Sequence, residues 1–255
     1  MPESVGSKIA LSLPRRLACD LSYFAKRIPS VPVQRRMNIA AVVAARDLAQ
    51  PRPSWCSIFT KAFALVGATR PELRRAFVLF PRSHLYQHSI HVASIAVERQ
   101  VGDEDAVLFT LVENPEQQSL EQLDARLRMV REHPIENFES FHGALRMSRL
   151  PGIVRRWFWR FTLNISGESR ARALGTFSVC SFARFGSNAL HPLTPLAYTL
   201  SYGVIDADGM VDVRITYDHR VTDGAQIARI LREMERALNC EILSELRSMQ
   251  AANAA

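Results

Sequence analysis

The chain has 255 residues, 47% of them hydrophobic, with 32 basic and 25 acidic side chains and a formal net charge of +7. That length suits one α/β domain, and the apolar content is enough for a sizeable core and excludes global disorder. The basic excess is too thin for a nucleic-acid interface; it suits an anionic small ligand, an acidic carrier or an anionic membrane surface.

Cys19, Cys56, Cys180 and Cys240 form no CxxC pair and match no zinc spacing. Scattered single cysteines fit small core residues in a reducing compartment. No signal-peptide h-region and no apolar run of about 18 residues occurs, so a cytoplasmic location is expected.

In chain order, "RRLACDLSYFAKRIP" predicts a helix, with Leu17, Leu21, Phe24 and Ile28 at helical spacing and Pro29 after its end. "MNIAAVV" predicts a strand. Ser54 is placed to cap a helix that runs to about Thr69, before Pro71. Residues 84–98 predict one or two strands; His84 and His88 fall on one face and His91 on the other, which suits surface positions and no metal site. "AVLFTLVE" reads as a buried strand. "SLEQLDARLRMVREHP" reads as an amphipathic helix with Ser119 and Gln122 as a capping box and Pro134 at its end. Residues 149–175 concentrate Trp157, Phe158, Trp159 and Phe161 with Arg149, Arg155, Arg156 and Arg160. The favoured reading is a helix whose aromatics enter the core or a subunit contact. The alternative is a surface element that binds acyl chains or rests on anionic lipid through residues 149–163.

"GTFSVCSF", "AYTLSYGVID" and "MVDVRITYD" predict strands, the last two joined at Asp208-Gly209. "DGAQIARILREMERALN" predicts a helix with Ile227, Leu231, Met234 and Leu238 on one face, and the alanine-rich tail is expected to fray. Without strict βαβ alternation this order predicts an α/β mixed-sheet sandwich rather than a Rossmann fold. No GxGxxG or P-loop occurs.

The polar cluster after the last strand carries the chemistry. Val211, Val213, Ile215 and Tyr217 alternate, His219 follows, and Asp223 and Gly224 open the next helix. A neutral imidazole at a strand end can take a proton from a thiol, hydroxyl or amine. A carboxylate four residues on returns near the loop, Asp at a helix start also suits the exposed amides, and glycine permits a tight bend.

"YDHRVTDGA" resembles the signature of the catalytic domain of dihydrolipoamide acyltransferases, the cores of 2-oxoacid dehydrogenase complexes, which share fold and mechanism with chloramphenicol acetyltransferase. Condensation domains of peptide synthetases carry a second histidine where this chain has Asp218. The resemblance extends over roughly residues 15–240, through Ala18 and Ile28-Pro29, the "PEL" before Arg74, "AVLFTLVENPEQQSLEQLDARL" and "GTFSVCSFARFG". It implies a single acyltransferase-like domain over residues 1–255 with the chloramphenicol acetyltransferase type of sandwich. It implies transfer of an acyl group from a thioester, acyl-coenzyme A or an acyl carrier, to a thiol, hydroxyl or amine. No covalently bound cofactor and no metal are implied. It also implies a homotrimer with active sites at the subunit interfaces. His219 carries over as general base. Asp223 carries over as organiser of the loop, with Arg15 or Arg16 as its ion-pair partner, and Arg220 and Gly224 as structural residues of the site.

The chain departs from this pattern at Cys180, in the expected domain organisation together with Ser30, and in the Trp- and Arg-rich residues 149–175, which typical members lack. Cys180 stands where the family has the serine that supports the oxyanion, and a thiol is a poor donor. Either Cys180 donates weakly, or Ser181 or Ser178 substitutes after a bulge, or the site is slow; nothing in the sequence marks Cys180 as a nucleophile. Ser30 replaces the histidine of the family's Ile-Pro-His. No lipoyl or subunit-binding domain is expected, and Ser30, Ser178, Arg156 and Trp157 are expected to contact substrate, the arginine through coenzyme A phosphates. The alternatives are a catalytically inactive scaffold that binds acyl groups or coenzyme A, and a membrane-peripheral acyltransferase.

Overall fold

Val211, Val213, Ile215 and Tyr217 are buried in β8 (Met210–Asp218), as their alternation predicts, and β8 organises the molecule. On one side it pairs antiparallel with β1 (Ser30–Asn38), on the other with β7 (Tyr198–Tyr202). β7 runs parallel to β6 (Phe177–Val179), β6 parallel to β4 (Val92–Val101), and β4 antiparallel to β5 (Glu104–Glu113). The result is a six-stranded mixed sheet in the order β1-β8-β7-β6-β4-β5, beside a two-stranded ribbon of β2 (Arg75–Val78) and β3 (His84–Gln87). The computed structural model describes residues 6–253.

One layer of helices covers the sheet. In α3 (Trp55–Thr69) every residue from Ser57 to Ala64 is buried, including Lys61, whose ammonium pairs with Glu245. Its Phe59 stacks on Tyr202 at 4.2 Å and its Phe63 meets Phe177 at 4.6 Å, which locks it onto β6 and β7. Ser54 caps it through the Ser57 N–H. α4 (Leu120–Glu132) begins with the Ser119–Gln122 capping box and buries Leu123 and Leu127. α8 (Gly224–Ala237) buries Ile227, Ile230, Leu231 and Met234. A π turn, Leu238–Ile242, leads into α9 (Leu243–Asn253). A second cluster of Leu17, Phe24, Trp159, Leu163, Leu174 and Leu196 joins α1 (Leu13–Ala25), α6 (Gly152–Asn164) and α7 (Gly167–Leu174). α5 (Glu139–Ser148) lies between α1 and β5.

Several expectations are corrected. "MNIAAVV" is not a strand: β1 ends at Asn38, whose Oδ1 accepts from Ala40 N–H, and α2 (Ala40–Leu48) follows. Alanines and the spacing of Val42 and Ala45 favour the helix, while Pro32 and the exposed Arg35 and Arg36 disguise an edge strand. His88 and His91 are buried rather than on a strand surface. Burial pushes both pKa values down to about 4, so both rings stay neutral. Gln250 to Asn253, expected to fray, are helical, and the Gln250 amide donates to Ala45 O at 2.6 Å. Gly209 takes φ 74° in the predicted hairpin turn.

Asp124 ties α4 to the start of α3. Its buried carboxylate accepts from Ser54 N–H at 2.7 Å, Ser57 Oγ at 3.0 Å and Arg128 Nη2 at 2.9 Å. Burial raises its pKa, the hydrogen bonds outweigh burial, and the net value lies below 3.8. Asp124→Ala should lower the urea-unfolding free energy by about 1–3 kcal/mol at neutral pH. Because the folded value is depressed, the wild-type advantage should be complete above pH 3.8 and vanish as pH falls through the folded value. A pH-independent difference would contradict this assignment.

Candidate active site

The residues after β8 alternate between interior and solvent. Asp218 is buried, His219 and Arg220 are exposed, and Val221 and Thr222 are buried again. Asp218 has no exposed side-chain surface and is gripped by Arg220, with Nε to Oδ1 at 2.9 Å and Nη2 to Oδ2 at 2.7 Å. The Arg220 N–H also donates to Asp218 Oδ1 at 3.0 Å, and its guanidinium lies 4.3 Å from the Phe77 ring centroid. On the inner side stands Arg170, buried, donating to Phe77 O at 3.0 Å and Pro195 O at 2.5 Å. Burial lowers its pKa to about 10 against the opposing attraction of Asp218, so it remains a cation.

This ion cluster presents His219. Its N–H donates to Pro29 O at 3.0 Å, which ties the loop to the chain leaving α1. The imidazole is half exposed, with its ring 5.7 Å from the Tyr217 ring. Nδ1 lies 3.7 Å from Asp223 Oδ1, too far for a hydrogen bond, so the ring turns its Nδ1 side toward that carboxylate without being held by it. Asp223 is 79% exposed and makes no helix-capping bond. Gly224 needs no unusual φ; a Cβ there would meet Tyr217 Oη at 3.2 Å, so close packing is what favours glycine.

The expected pairing of Asp223 with Arg15 or Arg16 is not made within the chain. Arg15 pairs with Glu104 of β5 at 3.3 Å, and Arg16 Nε donates to Leu11 O at 3.1 Å. Both sit at the start of α1, about 15 Å of helix away from the end that leads to Pro29 and His219. Arg220 does the anchoring instead, its carboxylate is Asp218, and Arg170 adds a favourable charge at longer range. Ser30 does lie at the site: it pairs with Asp218 in the β1–β8 ladder, and its Oγ is 2.8 Å from His191 Nε2. Arg156 sits over Tyr23 at 5.0 Å and Trp157 is 71% exposed; neither lines the cavity beside the loop. That cavity, of about 460 Å³, is lined by Arg27, Arg160, Arg170 and Arg220 against Phe24, Ile28 and Phe77.

The expected oxyanion donors lie elsewhere. Ser178 is buried, its Oγ 2.8 Å from Thr199 Oγ1, so it is no substrate contact. The Ser181 hydroxyl donates to Tyr202 O at 2.8 Å and accepts from Ala183 N–H at 3.2 Å, so it is committed to the backbone. Cys180 continues the β6–β7 ladder, its N–H donating to Leu200 O at 3.0 Å. Burial raises its thiol pKa, the reverse of what a thiolate nucleophile needs. In register, Val179 is level with Leu200 and Ile215. His219 is four residues beyond Ile215 in one direction and Cys180 one residue past Val179 in the other, which separates them by roughly 15 Å along the strands. One chain does not bring them together. A cavity of about 470 Å³ opens at the Cys180 end, lined by Arg46, Trp55, Cys56, Arg131, Ser181 and Arg184.

Arg170, Phe77 and His191 were not singled out from the sequence. Arg170 had a weak signal, since it precedes Leu174 by one helical turn; the other two lie far from β8 in the chain and had none.

No protein-family model matches the chain, and no curated protein does. Solved structures do. The dihydrolipoamide acetyltransferase of Azotobacter vinelandii is 19% identical, with a TM-score of 0.68 over 94% of this chain and 95% of that one. The cubic core of a pyruvate dehydrogenase multienzyme complex is 20% identical, with a TM-score of 0.67 over 94% and 95%. Chloramphenicol acetyltransferase is 10% identical, with a TM-score of 0.51 over 91% and 100%. The chain therefore has the chloramphenicol acetyltransferase type of α/β fold, in the form also found in dihydrolipoamide acetyltransferase cores.

Asp218→Ala should lower stability in urea unfolding by about 1–3 kcal/mol, because it removes the buried carboxylate that accepts from the Arg220 N–H, Nε and Nη2. Asp223→Ala, at an exposed position, should change it by no more than about 0.5 kcal/mol. Equal losses would show that the loop is not anchored through Asp218.

Proposed function

We propose that this chain is an acyltransferase of the dihydrolipoamide acyltransferase type, which moves an acyl group from coenzyme A or an acyl carrier to a thiol, hydroxyl or amine. The observation that carries the reading is a half-exposed imidazole held on a rigid, ion-anchored loop, with its Nδ1 side turned to Asp223. His219 Nε2 takes the proton of the acceptor, and the acceptor attacks the thioester carbonyl. The tetrahedral intermediate expels the thiolate, which recovers the proton from the imidazolium. The spacing of His219 and Asp223 supports the assignment: a histidine and an asparagine four positions apart have been investigated in the mechanism of the Azotobacter vinelandii enzyme, together with a serine.

The family resemblance puts Cys180 at the serine's position, and Cys180 lies at the far end of the sheet, so the reading requires that Cys180 of one subunit meet His219 of another. A homotrimer, the assembly implied by the family resemblance, provides this. Arginine-lined cavities at both ends of the sheet suit the phosphates of a coenzyme A thioester. A second reading is a scaffold that binds acyl groups without turnover. It is favoured by the engaged Ser181 hydroxyl, which leaves only a weak thiol donor at the end of β6.

Release of free thiol from a series of acyl-coenzyme A donors tests the two. His219→Ala should lower the rate by about 10²–10⁴-fold. Coenzyme A binding with no turnover in the wild type, unchanged by that substitution, would favour the scaffold. Cys180→Ser should raise the rate, because a hydroxyl is the stronger donor to an oxyanion. Co-refolding equal amounts of His219→Ala and Cys180→Ala chains should restore roughly a quarter of the sites in a cyclic trimer. No recovery from two individually inactive, folded chains would rule out a shared site.

A further inference from the structure

We propose that the outer face of α6, with the cations of α1 beside it, docks on the surface of a bilayer rich in anionic phospholipid. The face uses neither His219 nor Cys180, so the proposal stands whether or not the chain transfers acyl groups.

α6 is apolar on two sides. Its inner side is held: Trp159 and Leu163 enter the second core cluster, and Arg155 forms a buried ion pair with Asp20 of α1, Nε to Oδ2 at 2.6 Å. Its outer side carries Ile153, Val154, Trp157, Phe158, Phe161 and Ile165, all exposed, Ile153 to 74% and Trp157 to 71%. Steps of three and four keep them in one stripe. The stripe continues onto the exposed Phe80, whose N–H donates to Asn164 O at 3.0 Å. With its inner side held, the helix cannot roll to hide the stripe, and an apolar stripe of this length facing water marks a docking face.

The charge beside the stripe identifies what docks. Residues 140–167 contain five arginines and no acidic residue. Lys26, Arg27 and Arg156 crowd the ring of Tyr23, at 5.5, 4.3 and 5.0 Å from its centroid. Asp20, one turn before Tyr23, is already taken by Arg155. None of these three cations, nor Arg160 one turn after Arg156, forms an ion pair among the described residues. Cations gathered without a counter-charge favour an anion from outside. A headgroup layer supplies many phosphates, directly above acyl chains that receive the stripe. Indole and long basic side chains suit that boundary, with the apolar body inward and the polar tip among the headgroups. A second copy is a poor complement, since pairing this face with itself sets the same cations against one another. α6 has 13 residues, about 20 Å, and none of the described helices is long and apolar enough to cross a membrane, so the helix lies along the surface.

The test is co-sedimentation of the full chain with vesicles, either of phosphatidylcholine alone or of phosphatidylcholine and phosphatidylglycerol in equal amounts. Binding to the mixed vesicles should be about tenfold tighter than to phosphatidylcholine and should weaken as salt is raised. Trp157→Ala combined with Phe161→Ala should weaken it by more than about tenfold, because two aromatic side chains no longer enter the acyl boundary. Arg156→Ala should weaken it about fivefold, the effect of one cation at such a surface. Leu48→Ala, at an exposed apolar position on α2, should change nothing. Circular dichroism checks that each variant is folded. Should the aromatic variant misfold, Arg156→Ala and the comparison of the two vesicles still decide the point. The proposal is overturned by absence of binding to the mixed vesicles, by equal binding to both kinds, or by undiminished binding of the folded aromatic variant. It is also overturned if the aromatic substitutions instead dissociate an assembly of the chain in the absence of vesicles, which would make the face a contact between copies.

Discussion

The candidate site depends on the burial of one carboxylate. Asp218 has no solvent-exposed surface, and a charge in that position persists only if it is paired. Arg220 closes on it with two donors from solvent, and Arg170 stands within electrostatic reach behind it, satisfied in turn by backbone carbonyls. Because Asp218 is buried and Val221 and Thr222 are buried again, the two residues between, His219 and Arg220, turn outward. The exposure of His219 is thus a consequence of what its neighbours bury. The hydrogen bond from its backbone N–H to Pro29 O then fixes where the main chain presents the residue.

The sheet imposes the second constraint. β6 and β7 are parallel, and β8 runs back against β7, so the C-terminal end of β6 and the C-terminal end of β8 point in opposite directions. Whatever follows those two strands is held apart by the hydrogen-bond ladder itself. Within one copy, Cys180 and His219 therefore face different surroundings, and the arginine-lined hollows near them are lined by their chain neighbours Ser181 and Arg220 rather than by Cys180 or His219 themselves. Chemistry that uses both residues is chemistry of an assembly, and this ties the proposed activity to oligomeric state.

Much of this arrangement was legible from local sequence. The Ser119–Gln122 box, the Ser54 cap, the Asp208-Gly209 turn and the apolar alternation of β8 are short-range signals, and each is realised where it was read. The fold type followed from the motif around His219, and the structural neighbours agree with it. What escaped was non-local. Nothing near Asp218 in the chain announces Arg170, which arrives from α7, and an Asp at a helix start drew attention to Asp223 while its buried counterpart five residues earlier did the anchoring. Ser178 and Ser181 lost their expected roles to partners on β7, Thr199 and Tyr202, that strand periodicity does not identify. The edge strand β1 went unread because an edge strand tolerates the proline and arginines that argue against a central one.

The two histidines sealed beneath the ribbon give the interior a response to acidity. Both stay neutral down to about pH 4 when folded, while a free imidazole titrates near 6.5. The opened chain therefore takes up protons that the closed one refuses, and the balance tips toward opening as the medium falls below pH 6.5, with the full penalty reached near 4. His88 lies near enough to Arg170 for the two charges to repel. A proton forced onto that ring would add to the positive charge beside Arg170, the cation behind Asp218.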